Sequence, residues 1–297
     1  MQAGLFHLHT LSALHCGTGQ SADVVDLPIA RARATRLPMV PGSSLRGVLR
    51  QQVEQMDCEN GTKNAAALFG PRSISSSDNS FAGALAVGDA HLLALPVRCL
   101  AGIVSYATSP FILRRYARDL ARAGIDDAPP LPSAPAEGEA RVAKGSVNRL
   151  DDKLVLEDLD LAAQEDCPVT GWAQWIAKTV YDDDNSRCDF IHRFALLHDE
   201  IMDFLAETAT EVRARIRIDQ STGTVDKGAL WYEEHLPAET LLWGVYALSA
   251  RNHPDDTCNA AELAGTLPDS GTLLQLGGGA GTGHGLVRFV IRQAEKA

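Results

Sequence analysis

The glycine-rich segment LGGGAGTGHGLVRF, residues 276–289, restricts the folds that are open to this chain. Rossmann and Walker loops lie between a strand and a helix, and the helix N-terminus meets the phosphates. Here an alternating strand follows instead, with Val287, Phe289 and Ile291 on one face and Arg288 and Arg292 on the other. Both nucleotide-binding folds are therefore excluded. Two alternatives remain, a plain hairpin loop or a loop whose bare backbone approaches a partner closely.

Two segments carry clear helix signals. The first begins at PGSSLRG, where Ser43 or Ser44 can cap the helix. Its apolar stripe comprises Leu45, Val48, Leu49, Val53 and Met56. The second is SPFILRRYARDLARAG, with Ser109 at the cap, Pro110 in the first turn and Gly124 after the end. We expect helices at both places.

The remaining patterns mix strands with helices. GWAQWIAKTVY and RFALLHDEIMDFLAE are typical of helices, whereas residues 126–150, rich in Pro, Ala and Gly, indicate an insertion or loop. Strands are predicted at residues 4–15, in ALAVGDAHLLALPV, VRARIRI, TLLWGVYAL and TLLQLG, and in LVRFVIRQ at the end. Several of these signals favour antiparallel pairing. The expected fold class is α+β rather than a doubly wound sheet.

Composition limits the function classes. The net charge of −11 argues against a non-specific nucleic-acid binder, but the acid is concentrated in residues 126–211, and residues 31–50, 98–122 and 213–217 are locally basic. The six scattered cysteines lack CxxC spacing, as expected of free cytosolic thiols: Cys16, Cys58, Cys99, Cys167, Cys188 and Cys258. The sequence contains neither a signal-peptide pattern nor an apolar run long enough to span a membrane. We expect a soluble, cytoplasmic protein without a membrane partner.

Three basic stretches are candidates for binding a polyanion. At PGSSLRG, the helix start offers free N–H groups and Arg46 and Arg50 extend the positive charge. The preceding RARATR adds Arg31 and Arg33. In VRARIRID, strand alternation places the arginines on one face: Arg213, Arg215 and Arg217. This row indicates either a polyanionic partner or acidic groups elsewhere in the chain.

Several other polar residues remain ambiguous. His7 and His9 share a strand face, but no second ligand pair has zinc-like spacing, so packing is the better interpretation. Cys16 beside His15 is only a weak nucleophile signal, since adjacent residues of a strand point to opposite faces. Asp26 stands on an apolar stretch just before the arginines of RARATR. It is either a catalytic carboxylate or a turn-capping one.

Five ordered motifs resemble one family. They contain HCGTG and VVDLPIARARATRLPMVPGSSLRGVLR; LFG; GALAVGDAHLLALPVRCLAGIVSYATSPFILRRY; RARIRIDQSTGTVDKGALWYEEHLP; and LQLGGGAGTGHGLVRF. Together they resemble the backbone RAMP subunit of type III-B CRISPR effectors, the fourth subunit of the Cmr complex. The type III-A backbone subunit is a close relative. The resemblance covers nearly the whole chain except about 125–205.

The resemblance implies a single RAMP domain over 1–297 with a modified RRM-like (ferredoxin-like) palm, a helical lid insertion at about 125–205 and a β-hairpin thumb at about 215–235. It implies catalytic roles for Asp26, His15 and Glu233, and Asp26 is also a possible ligand of Mg²⁺ or Mn²⁺. It places RNA contacts at the helix start and in the glycine-rich loop: Gly42, Ser43, Ser44, Gly277, Gly278, Gly279, Gly281, Gly283 and His284. The sequence departs from the family at His235, where tyrosine is usual, and at ATRLP, where the family reads HTGFP or similar.

The implied function is that of a filament subunit that binds CRISPR RNA, copies of itself and other Cmr-complex subunits. It would cleave complementary target RNA as a metal-dependent endoribonuclease, in which the RNA 2′-OH attacks with assistance from Asp26. A catalytically silent guide-RNA scaffold and the type III-A subunit are the alternatives. An unrelated small-molecule enzyme is a third possibility and would require one closed apolar pocket.

Overall fold

A computed structural model describes residues 1–20, 25–56, 60–72, 81–250 and 260–293. Within these ranges the strands are β1 Gln2–Thr10, β2 Met39–Val40, β3 Leu85–Val87, β4 Ala90–Cys99, β5 Ile103–Thr108, β6 Glu139–Val142, β7 Arg149–Leu150, β8 Lys153–Leu156, β9 Leu159–Glu165, β10 Phe194–Leu197, β11 Glu211–Ile218, β12 Val225–His235, β13 Leu241–Leu248, β14 Thr272–Gln275 and β15 Leu286–Arg292. The helices are α1 Gly42–Met56, α2 Gly61–Phe69, α3 Pro110–Arg122, α4 Cys167–Val180, α5 Asp184–Arg193, α6 Asp199–Thr208 and α7 Ala260–Ala264.

Thirteen of these strands form one sheet, and β11 and β12 form a separate two-stranded sheet. The main path is β14-β15-β1-β13-β4-β5-β10-β6-β9-β8-β7. Strand β1 pairs antiparallel with β13 and with β15, and β13 pairs antiparallel with β4. The chain is therefore an α+β fold, as the mixed patterns predict.

Helix α3 confirms its sequence signals in detail. The side chain of Ser109 accepts a hydrogen bond from the backbone N–H of Ile112, Pro110 occupies the first turn, and Gly124 follows the end with φ of 73°. The helix turns one apolar side toward the core, burying Ile112, Leu113, Tyr116 and Leu120. Its cap, first turn and terminating glycine are local signals, which is why they could be read without tertiary information.

Two helix predictions need correction. Helix α1 begins at Gly42, so Ser43 and Ser44 lie inside its first turn rather than at the cap. Of its predicted stripe, Leu45, Leu49 and Val53 are buried, but Met56 is 47% exposed. The segment RFALLHDEIMDFLAE is not one helix, because Phe194–Leu197 pairs as β10 with β5 and β6 before α6 begins.

The insertion predicted at about 125–205 contains strands as well as helices. Its strands β6, β8 and β9 pair with one another or with β10, which joins the sheet beside β5. The first predicted strand, residues 4–15, ends at Thr10. None of the helices among the described residues is long and apolar enough to cross a membrane.

Histidines and cysteines near the N-terminus are packed into the core. His7 lies 2.6 Å from the Tyr116 hydroxyl, and His9 lies 2.8 Å from Glu239. Both rings are buried, which confirms the packing interpretation.

The described cysteines are unpaired thiols, Cys16, Cys99, Cys167 and Cys188, while Cys58 and Cys258 lie outside the described residues.

Candidate functional site

The hairpin β11–β12 forms the framework of the site. Arg213 pairs with Glu233 and Arg215 with Trp231 across the two strands. Because side chains alternate along a strand, these residues occupy one face of the hairpin. The opposite face carries exposed apolar side chains, among them Val212, Ile216, Leu230 and Tyr232. The alternation predicted for VRARIRI is confirmed.

The segment that carries Asp26 runs along β12. Leu27 forms a parallel bridge with Glu233, and its backbone N–H and C=O bond to Tyr232 and Glu234. The carboxylate of Asp26 accepts a hydrogen bond from the backbone N–H of Tyr232 at 2.7 Å. The carboxylate of Asp26 is thus held at Tyr232, the residue that precedes Glu233 on β12. Residues 21–24, immediately before this segment, lie outside the described residues.

Two open clefts of about 490 Å³ each adjoin this segment. The first contains Asp26 together with residues from the hairpin tip, including Arg217 and Lys227. The second contains His15, Glu233 and the start of the glycine-rich loop. Leu27 and Trp231 line both clefts, so the two are neighbours. The structure therefore brings all three predicted catalytic residues to two neighbouring clefts beside the hairpin.

The hydrogen bonds of His15 determine its tautomer. Its Nδ1 lies 2.7 Å from the backbone carbonyl of Glu234, and a carbonyl oxygen can only accept. In the neutral ring Nδ1 therefore carries the proton, which leaves Nε2 with a lone pair. Such a nitrogen can act as a base or accept a hydrogen bond from a hydroxyl group.

Glu233 is held as a carboxylate. Burial raises its pKa, but hydrogen bonds from Trp231 and Arg215 and the positive charge of Arg215 outweigh this and bring the pKa below its ordinary value. The Trp231 indole N–H donates at 2.9 Å and the Arg215 guanidinium at 3.1 Å. Both donors fix the carboxylate in the second cleft.

Two further histidines are close to His15 and Glu233: His235 lines the second cleft, and His284 packs against His235. His235 packs between His15 and His284, at ring distances of 5.4 and 4.8 Å. Burial, together with the neighbouring His284, His15 and Arg213, lowers the pKa of His235 to about 4. The ring is therefore neutral at neutral pH. The family resemblance drew attention to position 235, but only the structure shows that its ring joins His15 and His284.

His284 anchors the arginine row rather than an open surface. It is 7% exposed, and its ring nitrogens lie 2.8 Å from Arg213 and 3.2 Å from Arg215. Burial and the charges of these two arginines lower its pKa. A neutral His284 has one unprotonated ring nitrogen, so it accepts a hydrogen bond from one of these guanidinium groups and contacts the other beside the second cleft.

Each arginine of the row also has an acidic neighbour within the hairpin. Arg213 pairs with Glu211, Arg215 with Glu233 and Arg217 with Asp226, the last at 3.9 Å. The sequence leaves two explanations for this row of arginines, acidic groups within the chain or a polyanionic ligand, and the structure shows the first. A polyanionic ligand remains a prediction.

The glycine-rich loop packs closely on the chain's own backbone. Gly278 donates its N–H to the carbonyl of His15, and a Cβ on Gly277 would lie 2.1 Å from that oxygen. Gly277, Gly279 and Gly283 have φ between 71° and 80°, a region that favours glycine. By contrast, a Cβ on Gly281 would meet nothing within 4 Å. The loop therefore supports His15 at one end and leaves Gly281 open.

The basic residues near α1 differ in whether their side chains already bond to other groups of the protein. Arg31 is engaged by Glu234 at 2.6 Å and by the carbonyl of Ala206, whereas Arg33 is exposed. Arg46 bonds the Phe69 carbonyl, and Arg50 pairs with Glu54. Ser43 and Ser44 are exposed at the start of α1, and α1 packs against β14, the strand that leads into the glycine-rich loop.

Gly42 is explained by a close backbone approach. A Cβ at this position would lie 2.7 Å from the carbonyl oxygens of Val87 and Gly88. Its N–H donates to the carboxylate of Asp89 at 2.8 Å. An acidic side chain thus already occupies one donor of the helix start.

The described residues offer neither a preformed metal cluster nor a reactive thiol at this site. The described residues contain no group of three or more His, Cys, Asp and Glu side chains placed to hold a metal ion. A divalent ion at Asp26 would therefore need ligands from RNA and water. Burial raises the pKa of the Cys16 thiol to about 11, so this thiol is protonated and a poor nucleophile.

Comparisons with known proteins agree on one family. The model of the RAMP superfamily matches residues 7–288. The CRISPR system Cmr endoribonuclease Cmr4 of Pyrococcus furiosus is 35% identical over 298 residues, covering 99% of this chain and 97% of that protein. The crystal structure of oligomeric Cmr4 from P. furiosus covers 100% of both chains at 27% identity and a TM-score of 0.73. A chain of the type III-B Cmr-beta complex bound to cognate target RNA shares the fold at 18% identity, with a TM-score of 0.74 over 98% of this chain and 97% of that one.

Proposed function

The chain belongs to the RAMP superfamily, and from this premise we propose that it is the CRISPR-RNA-binding backbone subunit of a type III-B interference complex that cleaves complementary target RNA at regular intervals. The observation that carries the proposal is the full-length similarity to a Cmr endoribonuclease. Its partners would be CRISPR RNA, target RNA, copies of itself and other subunits of the complex. The similarity to an oligomeric relative supports self-assembly.

The finer architecture is part of the proposal. Strands β15, β1, β13 and β4 are neighbours in that order, and helices α1 and α7 lie on the connections that leave β1 and β13. This is the strand order of a ferredoxin-like palm, which supports assigning the palm to these elements. The separate hairpin β11–β12 would be the thumb, from residue 211 to 235. Residues of about 125–205 would form the lid.

The proposed reaction uses the nucleophile that RNA already carries. A 2′-OH aligned with the adjacent phosphorus loses its proton and attacks, the P–O5′ bond breaks and the 5′-oxygen takes a proton from water, which gives a 2′,3′-cyclic phosphate and a 5′-hydroxyl end. Asp26, fixed by the Tyr232 N–H, would accept the hydroxyl proton or orient the hydroxyl group. His15 would present Nε2 to the same linkage, and Arg215 would stabilise the charge that develops on the phosphate.

A divalent cation, Mg²⁺ or Mn²⁺, completes the proposal. Magnesium is commonly held by one or two carboxylates together with phosphate oxygens and waters, so the single carboxylate of Asp26 suits an ion that arrives with the RNA. Such an ion would stabilise the developing negative charge. The protein's own contribution is to hold Asp26 beside the hairpin.

One observation favours a second candidate, a guide-binding scaffold that does not cut. The family's usual tyrosine is replaced by His235, which is 1% exposed and neutral, so it supplies no hydroxyl group to the second cleft. If that hydroxyl is required for the reaction, the chain would bind RNA without cleaving it.

An end-labelled target RNA separates the two candidates. The assembled complex is incubated with complementary target, with Mg²⁺ or Mn²⁺ and then with a chelator. The proposal predicts regularly spaced cuts that stop with the chelator, and the loss of one cut where a single 2′-deoxy nucleotide replaces the nucleophile. Binding without any cuts would identify the scaffold, and a cut at the deoxy position would contradict attack by the 2′-OH.

A further inference from the structure

The outer side of helix α3 carries a concentration of arginine that the proposed function does not use. While Ile112, Leu113, Tyr116 and Leu120 face the core, the other side presents Arg114, Arg115, Arg118 and Arg122. The side chains of Arg114, Arg118 and Arg122 are 54, 52 and 68% exposed. In a chain of net charge −11, this is a local reversal of sign.

The arginines of this patch outnumber their acidic neighbours. Asp199 lies 3.4 Å from Arg114, and Asp119 lies 3.4 Å from Arg118 and 3.5 Å from Arg122. The Arg114–Asp199 pair is exposed at both ends and contributes little, because water and salt screen it, whereas the buried Asp119 is shared between Arg118 and Arg122. Asp89 also acts on Arg115, so four arginines face three carboxylates and the patch keeps an excess of positive charge.

Arg115 is the fixed member of the group. It lies 2.7 Å from Nε2 of His91 and 6.0 Å from the ring of Trp243. Burial and the charge of Arg115 lower the pKa of His91, which keeps the imidazole neutral and able to accept from the guanidinium. Arg115 is therefore held in place without losing its charge.

These arginines border an open cleft of about 580 Å³. Its lining comprises Ala34, Phe111, Arg114, Arg115 and Arg118. Phe111 is 38% exposed although it is a large apolar side chain. The cleft thus combines an accessible aromatic ring with several planar cations.

We propose that this cleft is a second RNA-binding site, at which the arginines contact phosphates of a single strand and Phe111 stacks on a base. Guanidinium groups match phosphate oxygens in geometry, and an aromatic ring provides a surface for any base. The exposed ring among the cations favours RNA over an acidic protein surface. The inference rests on the proposed function, since it adds a contact for the RNA that the complex binds.

The site is distinct from the one at the hairpin. Among the residues that the structure describes, none lines both the α3 cleft and the cleft of Asp26. The segment that carries Asp26 and Leu27 nevertheless continues to Ala34, which lines the α3 cleft. The second site can therefore be altered without changing any residue assigned to cleavage.

The test is the salt dependence of RNA binding by the full chain. A labelled single-stranded RNA of mixed sequence is titrated between about 50 and 200 mM salt, and the slope of log K against log salt is compared between variants. Each lost phosphate contact reduces this slope by about 0.7 for a single strand. Arg114→Gln/Arg118→Gln should therefore reduce it by about 1.4 and weaken binding, while cleavage at saturating RNA remains intact.

A matched control removes two positive charges elsewhere. Lys153→Gln/Arg187→Gln alters side chains on β8 and α5, which do not line the cleft, and should leave the slope unchanged. Phe111→Ala should weaken binding by roughly 5- to 100-fold, as expected for a lost base stack, without changing the slope.

The outcomes separate this inference from the function on which it rests. Normal affinity and slope for Arg114→Gln/Arg118→Gln would overturn the second site alone and leave the patch to an acidic protein partner. Absence of RNA binding by the unaltered chain would overturn the proposed function and this inference together.

Discussion

Arg31, which the sequence predicts to contact a polyanion, also has a structural role within the fold. Glu234, which is only 6% exposed, accepts hydrogen bonds from Arg31 at 2.6 Å, from Thr210 at 2.9 Å and from the backbone N–H of Ile29 at 3.0 Å. Three donors converge on one buried carboxylate. Arg31 therefore joins the segment that carries Asp26 to the hairpin.

Removal of Arg31 should destabilise the protein more than it weakens RNA binding. Arg31→Met leaves the charge of Glu234 buried and unpaired, so we expect the free energy of unfolding to fall by about 3 kcal/mol. The double variant Arg31→Met/Glu234→Gln should recover much of that loss. Urea unfolding measures both, with the exposed Arg33→Met as the matched control. Equal stability of Arg31→Met and Arg33→Met would contradict this account.

At the scale of single elements, the sequence was most informative where the signal is local. The limits of α3 follow from Ser109, Pro110 and Gly124, which act within one turn. The helix prediction for residues 193–207 is wrong at its start, because Phe194–Leu197 becomes a strand only by pairing with β5 and β6, two partners distant in sequence. Asp26, His15 and Glu233 were identified through family resemblance. Their separation into two clefts by Leu27 and Trp231 depends on tertiary packing and has no signal in the sequence.

The glycine-rich loop offers a comparison between two glycines of one element. At Gly277, φ is 71° and a Cβ would lie 2.1 Å from the carbonyl oxygen of His15, so Gly277→Ala should destabilise the protein by more than 1 kcal/mol. Gly281→Ala meets open space and should leave thermal stability unchanged. If RNA approaches this loop, Gly281→Ala should still weaken RNA binding.

Calorimetry and RNA titration of Gly277→Ala and Gly281→Ala show whether the loop contacts RNA or only supports His15. Loss of stability at Gly277 with unchanged RNA affinity at Gly281 would indicate that the loop only supports His15. An unchanged melting temperature for Gly277→Ala would contradict the packing argument itself.

At the scale of the whole molecule, buried histidines make stability depend on pH. Unfolded histidine titrates near pH 6.5, whereas burial lowers the pKa of His7 to about 3 and that of His235 to about 4. As pH falls below about 6.5, the unfolded chain binds protons that the folded chain does not. The contribution of these two neutral rings to the free energy of unfolding is therefore fully present above pH 6.5, and it is lost as the pH falls toward 4.

Each such histidine makes the free energy of unfolding fall by up to about 1.4 kcal/mol for every pH unit below about 6.5. Urea unfolding between pH 7 and pH 5 should show the free energy of unfolding falling as the solution is acidified, and His235→Gln should reduce the slope. A free energy that is constant over this range would mean that these rings are accessible to protons in the folded state.

The central claim is that Asp26 carries the cleavage chemistry and contributes little to binding. Asp26→Asn removes one negative charge from a site that meets phosphates, so affinity for complementary RNA should be unchanged or slightly improved. Loss of a general base typically costs a factor of about 10² to 10⁴ in rate. Asp226→Asn, which removes the same charge from the same cleft, serves as the control.

The most direct measurement follows cut products from end-labelled target RNA on assembled complexes containing the unaltered chain, Asp26→Asn or Asp226→Asn, with RNA binding measured in parallel. The account predicts that Asp26→Asn assembles and binds target yet yields almost no product, while Asp226→Asn cuts nearly as fast as the unaltered chain. Undiminished cutting by Asp26→Asn would remove Asp26 from the mechanism.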